Sequence, residues 1–188
     1  MKHVTSIAQT PVEALPEALI GELAAAHLDP VAVHRHVVEA LAEDLPGDDV
    51  TSWSTIRVDQ IETADFIARA DGTVAGLAVA ELALRYVLGA EAAIQRHVVD
   101  GDRVARGDVL ITVTAPTALL LTAERTALNF LCHLSGVATT TAAWVKAVAG
   151  TSARVRDTRK TIPGWRQLEK YAVRCGGGAN HRESLSDQ

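Results

Sequence analysis

The feature that most constrains the fold is the stretch from Ala118 to Ala149, which contains no proline and a single glycine, Gly136. Apolar residues recur along it at helical spacing. The sequence therefore predicts one long helix, either unbroken or interrupted near Gly136, that ends at Gly150. Its predicted apolar stripe consists of Leu121, Leu128, Leu131 and Ser135.

A helix–strand–helix unit is predicted at the end of this long helix. Ala153–Asp157 has the length of a short strand, and Trp165–Arg174 has the pattern of a second helix, closed by Gly176–Gly178. A unit of this kind begins an α/β layer.

The preceding residues predict a small α+β domain that ends at about residue 136. The pattern favours helices at 31–45 and 76–88, a strand at 64–70, and two or three short strands with glycine turns between 94 and 114. Asp48–Ser52 is interpreted as a turn-rich loop. Residues 1–30, which contain three prolines, are interpreted as a peripheral N-terminal extension.

The composition is typical of a folded protein from a reducing compartment. Apolar residues make up 48% of the 188-residue chain, enough for a packed core. Cys132 and Cys175 cannot form a disulfide framework, and no stretch has the roughly 20 apolar residues of a membrane span. The opening residues also lack the apolar core of a signal peptide. We therefore expect a cytoplasmic location and no membrane partner.

The net charge of −5 argues against nucleic acid as a partner, but the charge is unevenly distributed. Eight of the 18 Lys and Arg residues lie between Arg154 and Arg182, where the only acids are Asp157 and Glu169. A cationic segment in an acidic protein indicates a small anionic ligand.

The string Asp157-Thr158-Arg159-Lys160-Thr161 directly follows the last predicted strand. Functional groups of α/β folds gather where strands end. Arg159 offers a planar bidentate fork and Lys160 a point charge, which suit carboxylate and phosphate. A solvated basic turn explains these five residues equally well.

Two further basic features follow. Arg166, Lys170 and Arg174 form one stripe of the second predicted helix, and such a stripe is usually a solvated face. The run from Gly176 to Arg182 either stops that helix or turns sharply enough to present N–H groups, His181 and Arg182 to an anion. We favour the anion site.

Arg125 borders the apolar stripe of the long helix, so part of its side chain should be covered. The residues alone favour an arginine that lays its stem on apolar surface. The alternative is an arginine that reaches into a neighbouring site, on another subunit. Neither the cysteines nor the histidines have metal-ligand spacing, so no metal ligand is predicted.

Five stretches together resemble the quinolinate phosphoribosyltransferase family (nicotinate-nucleotide pyrophosphorylase, carboxylating), in the family's order and spacing. The resemblance extends from about residue 31 to 182. The matching stretches are EDLPGDDVTS (Glu43–Ser52), DGTVAG (Asp71–Gly76), VVDGDRVARGDVL (Val98–Leu110), LLTAERTALNFLCHLSGVAT (Leu120–Thr139) and DTRKTIPGWRQLEKYAVRCGGGANHR (Asp157–Arg182).

This resemblance implies an α/β sandwich domain at 31–136, followed by the start of an incomplete α/β barrel at 137–188, in a homodimer. It implies a transferase of NAD biosynthesis that uses Mg²⁺ to join quinolinate to phosphoribosyl pyrophosphate, giving nicotinate mononucleotide, CO₂ and pyrophosphate. It assigns Lys160 as catalytic and Arg125 as reaching the partner subunit's site. The substrate-binding residues that it carries over are Arg125, Thr158, Arg159, Lys160, His181 and Arg182.

The chain departs from the family pattern after Arg182, where Ser184 stands in place of the usual glycine. Residues 137–188 are also too few for a barrel, which needs on the order of 200 residues. We therefore expect a fragment whose Mg²⁺ ligands and phosphate site belong to a missing C-terminal half.

Other functions are compatible with parts of the pattern. The chain could be a truncated, inactive remnant that at most binds a ligand or dimerises. A molybdenum-operon pyrophosphorylase-like paralogue shares the fold, although the complete DTRKT and GGG..HR strings favour quinolinate. Val98–Leu110 also resembles half of a biotinyl or lipoyl carrier, but no lysine lies between Lys2 and Lys146 to carry the group.

Overall fold

The computed structural model describes residues 6–47 and 49–186. Residues 1–5 of the predicted extension, Asp48 of the predicted loop and residues 187–188 lie outside the described residues. The chain begins with a 3-10 helix at Val12–Ala14. The α-helices are α1 (Glu17–Ala25), α2 (Pro30–Asp44), α3 (Val50–Thr55), α4 (Leu77–Leu88), α5 (Thr117–Ala147) and α6 (Arg166–Cys175). The strands are β1 (Ile61–Ile67), β2 (Gly72–Thr73), β3 (Ala93–Arg96), β4 (Arg103–Val104) and β5 (Val109–Pro116).

The chain folds into two compact units that interleave along the sequence. The first unit takes in the chain up to Phe66, Ala78–His97 and Val109–Phe130. The second consists of Ile67–Leu77, Val98–Asp108 and the chain from Leu131 onward. The predicted α/β class is confirmed, whereas the predicted domain boundary at residue 136 stays a prediction. None of the described helices has the length and hydropathy needed to cross a membrane.

The first unit contains a three-stranded sheet in the order β1–β5–β3. β3 and β5 are antiparallel, with Ala93 opposite Thr114 and Gln95 opposite Thr112. The side chains of Ile111 and Val113 alternate with these threonines and are fully buried. One face of β5 therefore belongs to the core and the other does not, as expected for an antiparallel sheet.

Residues 6–30 are not peripheral, so that interpretation is wrong for the described part of the extension. Leu19 and Leu23 of α1 are 2% and 0% exposed. Pro16 is the N-cap of α1, and Pro30 is the first residue of α2. Proline is well tolerated at helix starts, where its missing N–H would have no partner anyway. The prolines that suggested an irregular segment in fact begin its helices.

The predicted loop after α2 is also corrected. α3 occupies Val50–Thr55, and the Asp49 side chain caps it by accepting a 3.1 Å bond from the Ser52 N–H. An Asp before a short helix is an N-terminal signal that the Asp-rich, turn-like composition concealed.

The long helix α5 is unbroken, and Gly136 lies within it. Its buried face differs from the predicted stripe, because Leu121 is 44% exposed while Ala123, Ala127 and Leu134 are fully buried. The helix contains several alanines, which bury as readily as leucine. Spacing counted on leucines alone therefore misplaced the buried face.

In the second unit, α5 supplies side chains that bond the backbone around β2. The N–H of Thr73 donates to Thr139 Oγ1 over 2.8 Å, and the N–H of Ala75 donates to Ser135 Oγ over 3.1 Å. β2 pairs antiparallel with β4. Ser135 was predicted on the apolar stripe, and its hydroxyl instead serves as a hydrogen-bond partner for backbone.

Candidate functional site

Two basic segments of the second unit begin at one parallel backbone pairing. Ala153–Asp157 is not a full strand as predicted, but Arg156 forms a parallel bridge with Ala179. The N–H of Ala179 donates to Val155 O over 2.9 Å, and the N–H of Asp157 donates to Ala179 O over 3.1 Å. We call Thr158–Lys160 the first segment and His181–Arg182 the second segment. Because the pairing is parallel, both segments follow its carboxyl end, where α/β folds place their functional groups.

Asp157 bonds the second segment through its side chain. Its Oδ1 accepts from the His181 N–H and from Lys170 Nζ, both over 2.7 Å. Its Oδ2 accepts from Asn180 Nδ2, also over 2.7 Å. The Asp157 and Lys170 side chains are 7% and 1% exposed, so this is a buried ion pair. Burying two charges has a large desolvation cost. Such a pair is stable only when its geometry is good and further hydrogen bonds satisfy its remaining polar atoms.

The basic stripe of α6 faces these bonds rather than solvent, so the prediction of a solvated face is wrong. Lys170 Nζ also donates to His181 O over 2.6 Å. Arg166 donates to Thr161 Oγ1 over 3.3 Å and to Glu183 O over 2.8 Å. Arg174 donates to Asn180 Oδ1 over 2.6 Å. Partners from other parts of the chain, which helical spacing cannot reveal, draw the stripe inward.

The first segment leaves cationic groups available. Thr158 Oγ1 accepts from the Lys160 N–H over 3.1 Å, which makes a tight turn of the segment. Thr158 and Lys160 are exposed and Arg159 is half-buried. Among the residues the structure describes, Arg159 Nε is the one buried side-chain polar atom without a hydrogen-bond partner. An orphaned donor of this kind is rare in a folded protein and calls for an acceptor.

The glycines before the second segment do not form an anion-binding nest, so that prediction is wrong. The N–H groups of Gly176, Gly177 and Gly178 donate to Ala172 O, Arg174 O and Val173 O. They close α6, which was the alternative interpretation. A Cβ at Gly176 would lie 2.6 Å from the Cβ of Thr141. The glycine allows α6 and α5 to approach closely.

Glu169 ties the loop between the first segment and α6 to α5. Its Oε1 lies 3.0 Å from His133 Nε2, and its Oε2 accepts from the Ile162 N–H over 3.3 Å. His133 also packs edge-on against Trp165, with ring centroids 5.2 Å apart. Sequence reasoning missed Asp157, Asn180 and Glu169 as site-shaping residues. Asp157 alone had a signal, since it stands between the predicted strand and the basic string.

Asp100 sits beneath α6 and changes the acidity of two neighbours. Its Oδ1 accepts from the Leu77 N–H and its Oδ2 from the Tyr171 hydroxyl. Burial, and then the Asp100 carboxylate, raise the pKa of Tyr171 well above its usual value. The same two causes raise the pKa of Cys175 to about 11. Both groups therefore stay protonated at neutral pH, and the Tyr171 hydroxyl is a structural donor to Asp100.

Arg125 belongs to the first unit, where it lies on α5. Its side chain is 74% exposed, so the expectation that its stem would be covered is wrong. Its Nη1 donates to Asp44 Oδ1 over 2.7 Å. One turn away, the Thr122 hydroxyl donates to Asp49 Oδ2 over 3.2 Å. The EDLPGDDVTS and TAERTALN stretches are thus joined at two points, and Arg125 is held by an acid while its guanidinium stays open to solvent.

A Mg²⁺ site needs several oxygen donors held close together. Among residues 6–47 and 49–186, no group of three or more His, Cys, Asp or Glu side chains is arranged to hold a metal ion. The described residues therefore do not form a Mg²⁺ site by themselves.

The family assignment follows from comparison with known sequences. The family model "Quinolinate phosphoribosyl transferase, N-terminal domain" matches residues 49–135, and that of the C-terminal domain matches residues 137–188. The chain belongs to the quinolinate phosphoribosyltransferase family. The nicotinate-nucleotide pyrophosphorylase [carboxylating] of Mycobacterium leprae is 51% identical over 150 residues, which cover 79% of this chain and 53% of that protein.

Solved structures of this family have the same fold. The NadC protein of Streptococcus pyogenes superposes with a TM-score of 0.81 at 40% identity, covering 85% of this chain and 56% of that one. The nicotinate-nucleotide pyrophosphorylase of Francisella tularensis has a TM-score of 0.79 at 35% identity, covering 97% and 58%. The chain spans about half the length of the curated quinolinate phosphoribosyltransferases that it matches.

Proposed function

We propose that this chain carries the quinolinate-binding part of a quinolinate phosphoribosyltransferase acting in NAD biosynthesis. The observation that carries the proposal is the convergence of two basic segments at one parallel pairing, with the buried Arg159 Nε lacking an acceptor. The names of the family relatives supply the reaction class. The substrate-binding residues of the proposal are Arg125, Thr158, Arg159, Lys160, His181 and Arg182.

The charge and shape of quinolinate suit this arrangement. Quinolinate has carboxylates on adjacent ring carbons, so its site needs several fixed cations. The Arg159 fork can take one carboxylate in its plane, and His181 with Arg182 can take the other. The proposed division is one carboxylate for each basic segment.

The proposed reaction is a phosphoribosyl transfer with loss of CO₂, as the names of the relatives imply. The ring nitrogen of quinolinate bonds to the ribose anomeric carbon of phosphoribosyl pyrophosphate while the bond to pyrophosphate breaks. The bond between the ring and the 2-carboxylate then breaks and CO₂ leaves. The electron pair left on the ring carbon takes a proton from solvent water. Lys160 is the proposed catalytic group, because an ammonium group beside that carbon would stabilise the developing charge.

The proposal also covers the oligomeric state, the cofactor and the cellular location of the enzyme. The enzyme works as a homodimer in which Arg125 reaches the partner subunit's site, and its exposed guanidinium is suited to that role. Mg²⁺ is proposed as cofactor with ligands outside the described residues. A cytoplasmic location is proposed from the free thiols of Cys132 and Cys175.

The first test is calorimetric titration of the chain with quinolinate and with pyridine-2-carboxylate, which lacks the second carboxylate. We expect quinolinate to bind at least about tenfold more tightly, since charge-assisted pairs contribute about 1.5–3 kcal/mol each. Arg159→Ala should remove most of this preference. As a matched control, Arg57→Ala removes an exposed arginine of the other unit and should leave it unchanged.

Turnover is tested separately, with quinolinate, phosphoribosyl pyrophosphate and Mg²⁺, by following nicotinate mononucleotide. Binding without turnover would limit this chain to substrate binding. Equal affinity for the two pyridine acids would contradict the quinolinate site itself.

A further inference from the structure

We propose that Asp157 is a positioning residue that fixes the spacing of the two basic segments, and thereby selects a ligand with two adjacent carboxylates. The inference rests on the proposed function, since it names what sets the specificity of that site. Asp157 is not placed in contact with the substrate. It acts through the segment that it precedes and the segment that it bonds.

The position of Asp157 in the chain ties its backbone to the first segment. It is the residue immediately before the first segment, so its backbone fixes where Thr158 begins. Its N–H is bonded to Ala179 O over 3.1 Å. The start of the first segment is therefore held to the chain that leads into the second.

The side chain of Asp157 reaches the start of the second segment. Oδ1 accepts from the His181 N–H over 2.7 Å, and Oδ2 accepts from Asn180 Nδ2 over 2.7 Å. The first bond goes to the opening residue of the second segment, and the other goes to Asn180, the residue just before it. The carboxylate of the residue just before the first segment is thus bonded to the backbone at the start of the second segment.

Lys170 of α6 adds further bonds that hold Asp157 and His181 in place. Lys170, 1% exposed, donates to Asp157 Oδ1 and to His181 O, so both backbone polar groups of His181 are bonded within this cluster. Asn180 Nδ2 also donates to Lys170 O over 2.9 Å. Preorganised donors of this kind hold ligand-binding groups in place without a cost on binding.

The consequence concerns specificity. A ligand with one carboxylate needs one basic segment only, and its affinity is insensitive to the distance between the segments. Quinolinate, with two carboxylates on adjacent ring carbons, needs both segments at a set spacing. Removing the Asp157 carboxylate should therefore weaken the binding of quinolinate far more than the binding of a pyridine monocarboxylate.

The experiment uses the 188-residue chain and three variants. Asp157→Ala removes the joining carboxylate. Asp157→Ala combined with Lys170→Met also removes the cation, so that no buried charge is left unpaired. Asp59→Ala is the matched control, because Asp59 pairs with Arg57 on the surface of the first unit and is 65% exposed there.

Two quantities are measured: affinity for quinolinate and pyridine-2-carboxylate, and amide hydrogen exchange at His181 in the absence of ligand. We expect Asp157→Ala, or the variant that also carries Lys170→Met, to lower the affinity for quinolinate at least about tenfold. The affinity for pyridine-2-carboxylate should fall less than about threefold. The His181 amide should lose most of its protection while the α6 amides keep theirs. Asp59→Ala should change neither quantity.

Equal weakening of the two ligands would overturn the inference, and so would an unprotected His181 amide in the unaltered chain. Failure of both variants to fold would overturn it too, because Asp157 would then be a residue of general stability. If His181 protection depends on Asp157 but the unaltered chain does not bind quinolinate, the joining of the segments stands and the proposed function is what fails.

Discussion

The two thiols of this protein differ in their surroundings, and the difference is measurable at the level of single residues. Burial, and then the Asp100 carboxylate, raise the pKa of Cys175 to about 11, whereas Cys132 is exposed. Because the thiolate is the reactive form, iodoacetamide at about pH 8 should modify Cys132 at least tenfold faster than Cys175. Peptide mass spectrometry over a time course measures both rates. Equal rates would contradict the burial of Cys175.

Asp49 provides a pH-dependent contribution to stability. Hydrogen bonds from Ser52, followed by those from Thr122 and the charge of Arg125, hold the pKa of Asp49 below its unfolded value of 3.8. Its carboxylate therefore stabilises the fold at pH values above about 4, and this contribution is lost as the pH falls through the lower, folded pKa.

The corresponding prediction uses Asp49→Asn, which keeps the cap acceptor and removes the charge. The free energy of unfolding should fall by about 0.5 kcal/mol at pH 6, a small value because solvent screens the charge. The difference from the unaltered chain should shrink towards pH 3. Urea unfolding at the two pH values measures it, and a difference independent of pH would count against a charge effect.

At the scale of elements, the contact between α5 and α6 depends on a glycine. A Cβ at Gly176 would lie 2.6 Å from Thr141 Cβ, whereas nothing lies within 4 Å of a Cβ at Gly136. Gly176→Ala should therefore lower the free energy of unfolding by about 1–3 kcal/mol. Gly136→Ala, in the exposed interior of α5, should raise it by about 1 kcal/mol. Thermal unfolding of both variants compares the same substitution in two environments.

The helices with regular spacing could be predicted from the sequence, because period and end signals are local. α2, α4 and α6 were each predicted within one residue of their observed bounds. α3 was missed because six residues are too few to establish a period. The buried face of α5 was misplaced because alanine and leucine fill its core together.

The residues of the candidate site were found by charge and family resemblance, but their roles stay predictions. The bonds that shape the site were not predictable. Lys170 resembled a solvated residue until Asp157, 13 positions earlier, supplied its partner. Arg125 was expected to be covered, yet Asp44, 81 positions earlier, holds it in the open. Pairings across such separations leave no periodic signal in one sequence.

At the scale of the whole molecule, the proposed homodimer makes a prediction about mixed chains. If Arg125 serves the partner subunit's site, Arg125→Ala and Arg159→Ala should each abolish tight quinolinate binding alone. In a mixed dimer, one site would combine the intact Arg159 of one chain with the intact Arg125 of the other. Calorimetry of differently tagged, copurified dimers should therefore give about one quinolinate per dimer. No recovery in verified mixed dimers would contradict the shared site.

The interleaving of the two units affects the order in which they can fold during synthesis. The first unit is complete in sequence at Phe130, while the stretch Ile67–Leu77 of the second unit emerges long before its partners. The N–H groups of Thr73 and Ala75 bond to Thr139 and Ser135, which are synthesised 66 and 60 residues later. During synthesis at the ribosome, the first unit can therefore fold first. The second unit can form only after the later half of α5 has emerged.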